Sequence, residues 1–235
     1  MAKGTASARR SARRRWLAAL LLLMLVAGGA IWWKARTWQP DRATFPVQGV
    51  WLSAADGPIQ WPLLKAAGAD FAYLTASEGA ALRDAAFAKG LEAARHQKMQ
   101  AGAVHVYDLC APAEGQAANF VTTVPRDPDL LPPAVSLDLD EARCPRSPGE
   151  AAMQSEITTF LNQIERHAGK SALLMLSPAF EKRYHLAAVI DRNLWAEGSF
   201  LAPGYPGRPW VLWTASDRLR LDASEQALHW VVERP

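Results

Sequence analysis

From Val47 onward, apolar runs of strand length alternate with longer stretches of helical periodicity, and this alternation limits the fold more than any other feature. Val47 to Leu52, Phe71 to Thr75, Ala101 to Val106, Ala134 to Leu139, Ala172 to Leu176, Leu194 to Ala196 and Trp210 to Thr214 read as strands. Between them, Trp61 to Ala67, Ala80 to Gln97, Glu114 to Thr123 and Pro148 to Ala168 read as helices. Such an order calls for a parallel sheet, and this many repeats in one domain calls for a single α/β, modified TIM-like (β/α) barrel over residues 47–235. A doubly wound open sheet is the alternative. No Gly-rich phosphate loop follows any strand, which weakens its nucleotide-binding version.

A different pattern precedes the barrel. Residues 1–15 carry Lys3, Arg9, Arg10, Arg13, Arg14 and Arg15 with no acid, and residues 16–33 carry no charge. At about 1.5 Å per residue, that uncharged run covers roughly 27 Å, close to the hydrocarbon thickness of a bilayer. Trp16 at one end and Trp32 with Trp33 at the other suit the two interfaces. The expected layout is a basic cytoplasmic segment at 1–15, one N-terminal transmembrane helix acting as signal anchor at 16–33, and a linker at 34–46. The basic flank keeps the N-terminus in the cytoplasm and places the C-terminal domain in the periplasm or outside. A cleaved signal peptide is the rival, with Leu17 to Val26 as its apolar core and Ala27-Gly28-Gly29-Ala30 as small residues for cleavage.

Charge follows the same division. Residues 1–42 hold nine Lys and Arg against Asp41 alone, a balance of +8 in a chain of net +3, so the remainder carries −5. An acidic domain lacks the basic footprint of a nucleic-acid binder, and the arginine cluster is explained by topology. Cys110 and Cys144 are the only cysteines. In an exported domain such a pair reads as a disulfide, and without neighbouring His or Cys ligands it offers no metal site. No cofactor motif is recognisable.

In a parallel barrel, functional groups gather at the C-terminal ends of strands. Those ends fall at Trp51 to Ser53, Thr75 to Glu78, His105 to Asp108, Ser136 to Asp140, Met175 to Ser177 and Thr214 to Asp217. Taken in order, they resemble glycoside hydrolase family 25, lysozymes that cleave peptidoglycan glycan within a modified α/β barrel. Gln48-Gly49-Val50-Trp51-Leu52-Ser53 followed by Gly57-Pro58-Ile59-Gln60-Trp61 is similar to the family's opening strand and loop. Asp70-Phe71-Ala72-Tyr73-Leu74 through Ser77-Glu78-Gly79 resembles its second strand, and Gly102-Ala103-Val104-His105 its Gly-Ala-Tyr-His element. Ala117-Ala118-Asn119-Phe120, Leu131-Pro132-Pro133-Ala134-Val135 and Trp210 to Asp217 continue the match.

The departures fall where the family does its chemistry. Trp51 stands at the opening strand's Asp, and the Asp-Leu-Glu triplet reads Ser136-Leu137-Asp138. Glycosidic hydrolysis usually needs two carboxyl groups. Asp138 is the candidate acid, one methylene shorter than the family's, and Asp140 is the first candidate for a second carboxylate. Asp56, Glu78, Asp108, Asp217 and Asp222 are further loop acids. His105, Glu78, Trp51, Tyr73, Trp213 and Asp217 are candidates for substrate binding, the aromatics as platforms for sugar rings. As a bland reading, the aromatics are core, His105 is a satisfied core residue, and the acids of Asp138 to Glu141 cap a loop or hold a cation weakly. The resemblance thus implies a membrane-anchored protein acting at peptidoglycan or another envelope glycan with weak or no hydrolysis. A diverged active muramidase and an envelope scaffold that binds a protein partner are the alternatives.

Overall fold

The structure, a computed structural model, describes residues 4–140 and 142–235, with side chains from Trp16 onward. Glu141 and the basic side chains of segment 1–15 lie outside the described residues. The chain divides into two compact units, the second beginning at Gln39. The first is α1 (Gly4–Thr37), within which Trp16–Thr37 has a mean hydropathy of 2.1 and is long and apolar enough to cross a membrane. A signal sequence meets the same description.

The connector expected at 34–46 is divided. Lys34 to Thr37 completes α1, whereas Pro40 to Pro46 is bonded into the second unit. The Gln48 side chain donates to the Pro40 and Phe45 carbonyls, at 3.0 and 2.9 Å. Arg42 donates to the Gly68 and Pro46 carbonyls and pairs with Asp70. Phe45 packs on Trp210 and Trp213.

The second unit runs β1 (Gln48–Leu52), α2 (Trp61–Ala66), β2 (Phe71–Glu78), β3 (Leu82–Arg83), α3 (Phe87–His96), β4 (Gln100–Val106), α4 (Ala113–Thr123), β5 (Ala134–Leu137), α5 (Glu150–Ala168), β6 (Leu173–Leu176), α6 (Pro178–Tyr184), α7 (Leu186–Val189), β7 (Asn193–Glu197), β8 (Leu212–Leu219) and β9 (Leu228–Glu233). The sheet order β1-β9-β8-β7-β6-β5-β4-β2 closes on itself through β1 and β2, giving an eight-stranded barrel with β3 appended to β2. Six of its pairings are parallel, and β9 closes the ring antiparallel to both β8 and β1.

Two elements differ from expectation. The helix foreseen from Ala80 starts only at Phe87, because Leu82 and Arg83 pair back on β2 and the Asp84 carboxylate accepts from the Ala86 and Ala54 amides, making a turn. The closing strand β9 was not foreseen.

Alternation along each strand separates a barrel interior from a layer beneath the helices. Phe71, Tyr73, Val104, Ala134, Leu173, Met175, Trp195, Leu212 and Val231 fill the interior. The glycines at 49 and 102 make room for it: a Cβ on either would collide with Phe71 or with the Tyr73 ring. Gly49 belongs to the first and Gly102 to the third of the sequence elements that carry the family resemblance.

Candidate functional site

The C-terminal strand ends form the mouth of the barrel, and register shows which side chains share it. Leu137, Leu176, Ala196 and Trp213 are aligned across β5, β6, β7 and β8. The next row up therefore holds Asp138, Ser177, Glu197 and Thr214, and the Ser177 amide donates to the Leu137 carbonyl at 3.1 Å. Ala134 and Trp195 face the interior, so by alternation Ser136, Asp138 and Glu197 face it too. Beneath them the Trp195 indole donates to Thr214 Oγ1 at 2.8 Å.

Trp51 stands in the same mouth. Its indole donates to Thr75 Oγ1 at 3.0 Å, and its ring lies 6.3 Å from Trp195 and 4.9 Å from His229. The residue found where the family has an acid is thus a half-buried aromatic built into the wall.

The carboxyl groups around the mouth differ in what holds them. Arg143 pairs with Glu78, and its Nε lies 3.3 Å from Asp140, so one guanidinium serves both. These residues line a cavity of about 200 Å³ with Asp108, Ser136 and Asp138. Cys110 and Cys144 form a disulfide across its rim, linking the loop after β4 to the loop after β5. On the other side, Asp217 accepts from Ser199 Oγ at 2.8 Å and from Arg218, whose hydrogen bond is the main reason its carboxyl is held below the usual range. Asp56 accepts from the Ser53 amide and hydroxyl, at 2.7 and 3.1 Å.

Glu197 stands apart. Recessed at the end of β7 yet reached by solvent, it is pushed up to about 7, first by burial and then by the charges of Asp138 and Asp217. No hydrogen-bond donor among the described residues serves its carboxyl. Asp138, more exposed, accepts among the described residues only from the Leu139 amide, at 2.8 Å. At neutral pH the mouth therefore combines a carboxyl that is often protonated with carboxylates close enough to raise it, the arrangement acid–base chemistry requires.

Three expected binding residues lie elsewhere. His105 is fully buried on the outer side of β4, hydrogen-bonded to Ser77 Oγ (2.8 Å) and Gln116 Oε1 (3.2 Å), with its ring 4.7 Å from Phe160. Burial lowers it to about 4, so it is a neutral, satisfied core histidine. Tyr73 fills the barrel interior, and its hydroxyl donates to the Pro132 carbonyl at 3.1 Å. Trp213 is buried on the outer face of β8 against Phe45 and Trp210. The sequence motif locates these residues on strands but not on a face, and alternation alone decides that. Trp51, Asp138, Glu78, Asp140 and Asp217 do meet at the mouth. Glu197 and His229 were missed, Glu197 although it ends a strand two residues after an inward-facing tryptophan. Among the described residues, no cluster of three or more potential metal ligands is present.

Fold and mouth together define a β/α barrel with carboxyl groups gathered at the C-terminal ends of its strands. The chain belongs to glycosyl hydrolases family 25, whose model matches residues 50–218. Its fold is similar to that of a family 25 glycosyl hydrolase from Bacillus anthracis (24% identity, TM-score 0.75, covering 84% of this chain and 92% of that one). A bacterial lysozyme from Streptomyces coelicolor is also similar (20% identity, TM-score 0.70, 80% and 92% covered). Among curated proteins, the uncharacterized protein YegX of Escherichia coli K12 is 25% identical over 189 residues, 77% of this chain. The chain spans 66% of that relative's length.

Proposed function

We propose that this protein is a membrane-tethered family 25 barrel that engages peptidoglycan glycan at its mouth, outside the cytoplasmic membrane, and hydrolyses it weakly at most. The observation that carries the reading is Trp51. An indole bonded to Thr75 and packed on Trp195 and His229 stands at the family's first acid, and Ser136 stands at another. Half-exposed aromatic surface beside carboxyl groups suits a sugar ring, which presents apolar CH faces and hydroxyl edges. Asp138 keeps the triplet's last acid one methylene short, and two further acids of the mouth, Glu78 and Asp140, are engaged by Arg143. Support for the tether is the apolar helix Trp16–Thr37 with its basic flank.

Co-sedimentation of the full chain, in mild detergent, with purified sacculi tests the glycan reading. Pelleting that weakens about two- to tenfold in Trp51→Ala is expected, since aromatic contacts contribute roughly 0.5–1.5 kcal/mol beyond buried area. Protein that stays in the supernatant ends the reading. The tether is tested by the mass recovered from membranes: 25.7 kDa supports an anchor, and a shortened soluble product supports cleavage.

A further inference from the structure

We propose that Glu197 and Asp138 form an acid–base pair for slow glycan hydrolysis at the barrel mouth, in which Asp138, just after β5, keeps the place of the triplet's last acid and Glu197, on β7, stands in for the acids absent at Trp51 and Ser136. This rests on the reading that the mouth binds glycan.

The pair emerges by elimination among the mouth's acids. Glu78 and Asp140 share Arg143, Asp217 is held by Arg218 and Ser199, and Asp56 is held by Ser53. Asp108 accepts from the Cys110 amide and follows β4, one strand farther from Glu197 than Asp138, and it is not among the charges that raise Glu197. A carboxylate held in a charge-assisted hydrogen bond would have to give up that partner before it could exchange a proton with substrate. Glu197 and Asp138 carry no such side-chain partner among the described residues. Both face inward, at the same level, separated by β6. Two strand spacings put their Cα atoms roughly 10 Å apart, and side chains converging on the barrel axis bring the carboxyls nearer. That suits the window of about 6.5–9.5 Å in which a water fits between an acid and a base.

Their environments assign the roles. Glu197 is the recessed member, without a donor among the described residues to stabilise its anion, so a large share of molecules carry it protonated at neutral pH. Asp138 is the solvated member, open to a water. In the step, Glu197 delivers its proton to the glycosidic oxygen as the bond from the anomeric carbon to that oxygen breaks. A water adds its oxygen to the anomeric carbon from the opposite side and loses a proton to Asp138. One water is consumed, one new reducing end and one free hydroxyl appear, and solvent returns the proton from Asp138 to Glu197. The configuration at the anomeric carbon inverts. The acid role expected of Asp138 from the sequence passes to Glu197.

The titratable groups around Glu197 are Asp138, Asp217 with Arg218, His229 beyond Trp51, and Tyr205, whose hydroxyl accepts from the Glu197 amide at 2.8 Å and which burial keeps protonated. His229 is lowered by burial and stays neutral, so the two aspartates set the local charge.

The test follows reducing ends released from sacculi by the full chain, together with co-sedimentation and thermal melting. A slow wild-type rate is expected that falls at least about a hundredfold in Glu197→Gln and in Asp138→Asn, with melting intact and pelleting changed less than about threefold. Glu92→Gln, on the exposed face of α3, leaves the rate unchanged. Loss of rate above neutral pH in the wild type marks the titration of Glu197, and freshly released ends should show the inverted anomer. A Glu197→Gln rate equal to wild type, or a wild type that pellets with sacculi and releases no ends, overturns the pair while leaving the binding reading standing. A protein that neither pellets nor cleaves removes both.

Discussion

Two polar clusters lie on opposite faces of the barrel sheet, and they have opposite fates. On the outer face of β4, His105 is enclosed by Phe160 and Phe120 and bonded at both ring nitrogens. Its partner Gln116 also accepts from the Asp108 amide at 2.8 Å and donates to the carbonyls of Asp108 and Ala111. Both ring nitrogens of His105 and the whole Gln116 amide are matched from within, while the Tyr107 hydroxyl beside them is buried without a partner among the described residues; the matched pair is part of the scaffold. At the mouth, among the described residues, the recessed Glu197 carboxyl has no donor and the exposed Asp138 has no ion pair. A matched buried network stabilises one structure, whereas an unmatched carboxyl among like charges is left available for a ligand.

Several substitutions can break or sharpen that contrast. Removing the Cys110–Cys144 bridge, which spans 34 residues above the closed cluster, should cost about 3 kcal/mol. Thermal melting of the double serine variant measures this, and a loss below about 1 kcal/mol means the loops are held by other contacts. His105→Ala should cost roughly 2–3 kcal/mol, since it opens a cavity and strips partners from Ser77 and Gln116, while sacculus binding is unchanged. Weakened binding at full occupancy of the folded state would return His105 to the site.

Glu197→Gln should act in the reverse sense. The folded group titrates near 7, above its ordinary value of 4.5, so the native state holds the extra proton between those values. Its contribution to stability is complete below about pH 4.5 and is lost as pH rises through 7. The Gln variant should therefore melt higher than wild type at pH 8 by roughly 1–3 kcal/mol, and the advantage should vanish at pH 4. A pH-independent difference contradicts the assignment. Arg143→Met should change stability by less than about 1 kcal/mol, because the guanidinium it removes is half exposed.

Much of the barrel was legible in the sequence because strand-length apolar runs and helical periodicity are local signals. β9 escaped notice because Leu228–Glu233 is a short run that closes the ring antiparallel, outside the βα rhythm. The Ala80 to Gln97 reading merged β3 into a helix, since the turn depends on Asp84 bonding to the distant Ala54 amide. Within the site, motif similarity placed His105 and Tyr73 on the right strands but was silent on which way they face. Glu197 carried a usable signal: it is two residues from Trp195 at a strand end, and the rule that drew attention to the other strand ends applies equally to β7.

The central claim, that glycan meets the unmatched mouth and not the matched cluster, is tested most directly by titrating the full chain in micelles with a peptidoglycan glycan fragment while following labelled side chains by NMR. The account predicts saturable shifts of the Trp51 indole and the Glu197 carboxyl, with the His105 ring and Tyr73 unmoved. Saturable binding that shifts His105, or that leaves both Trp51 and Glu197 where they were, would contradict it.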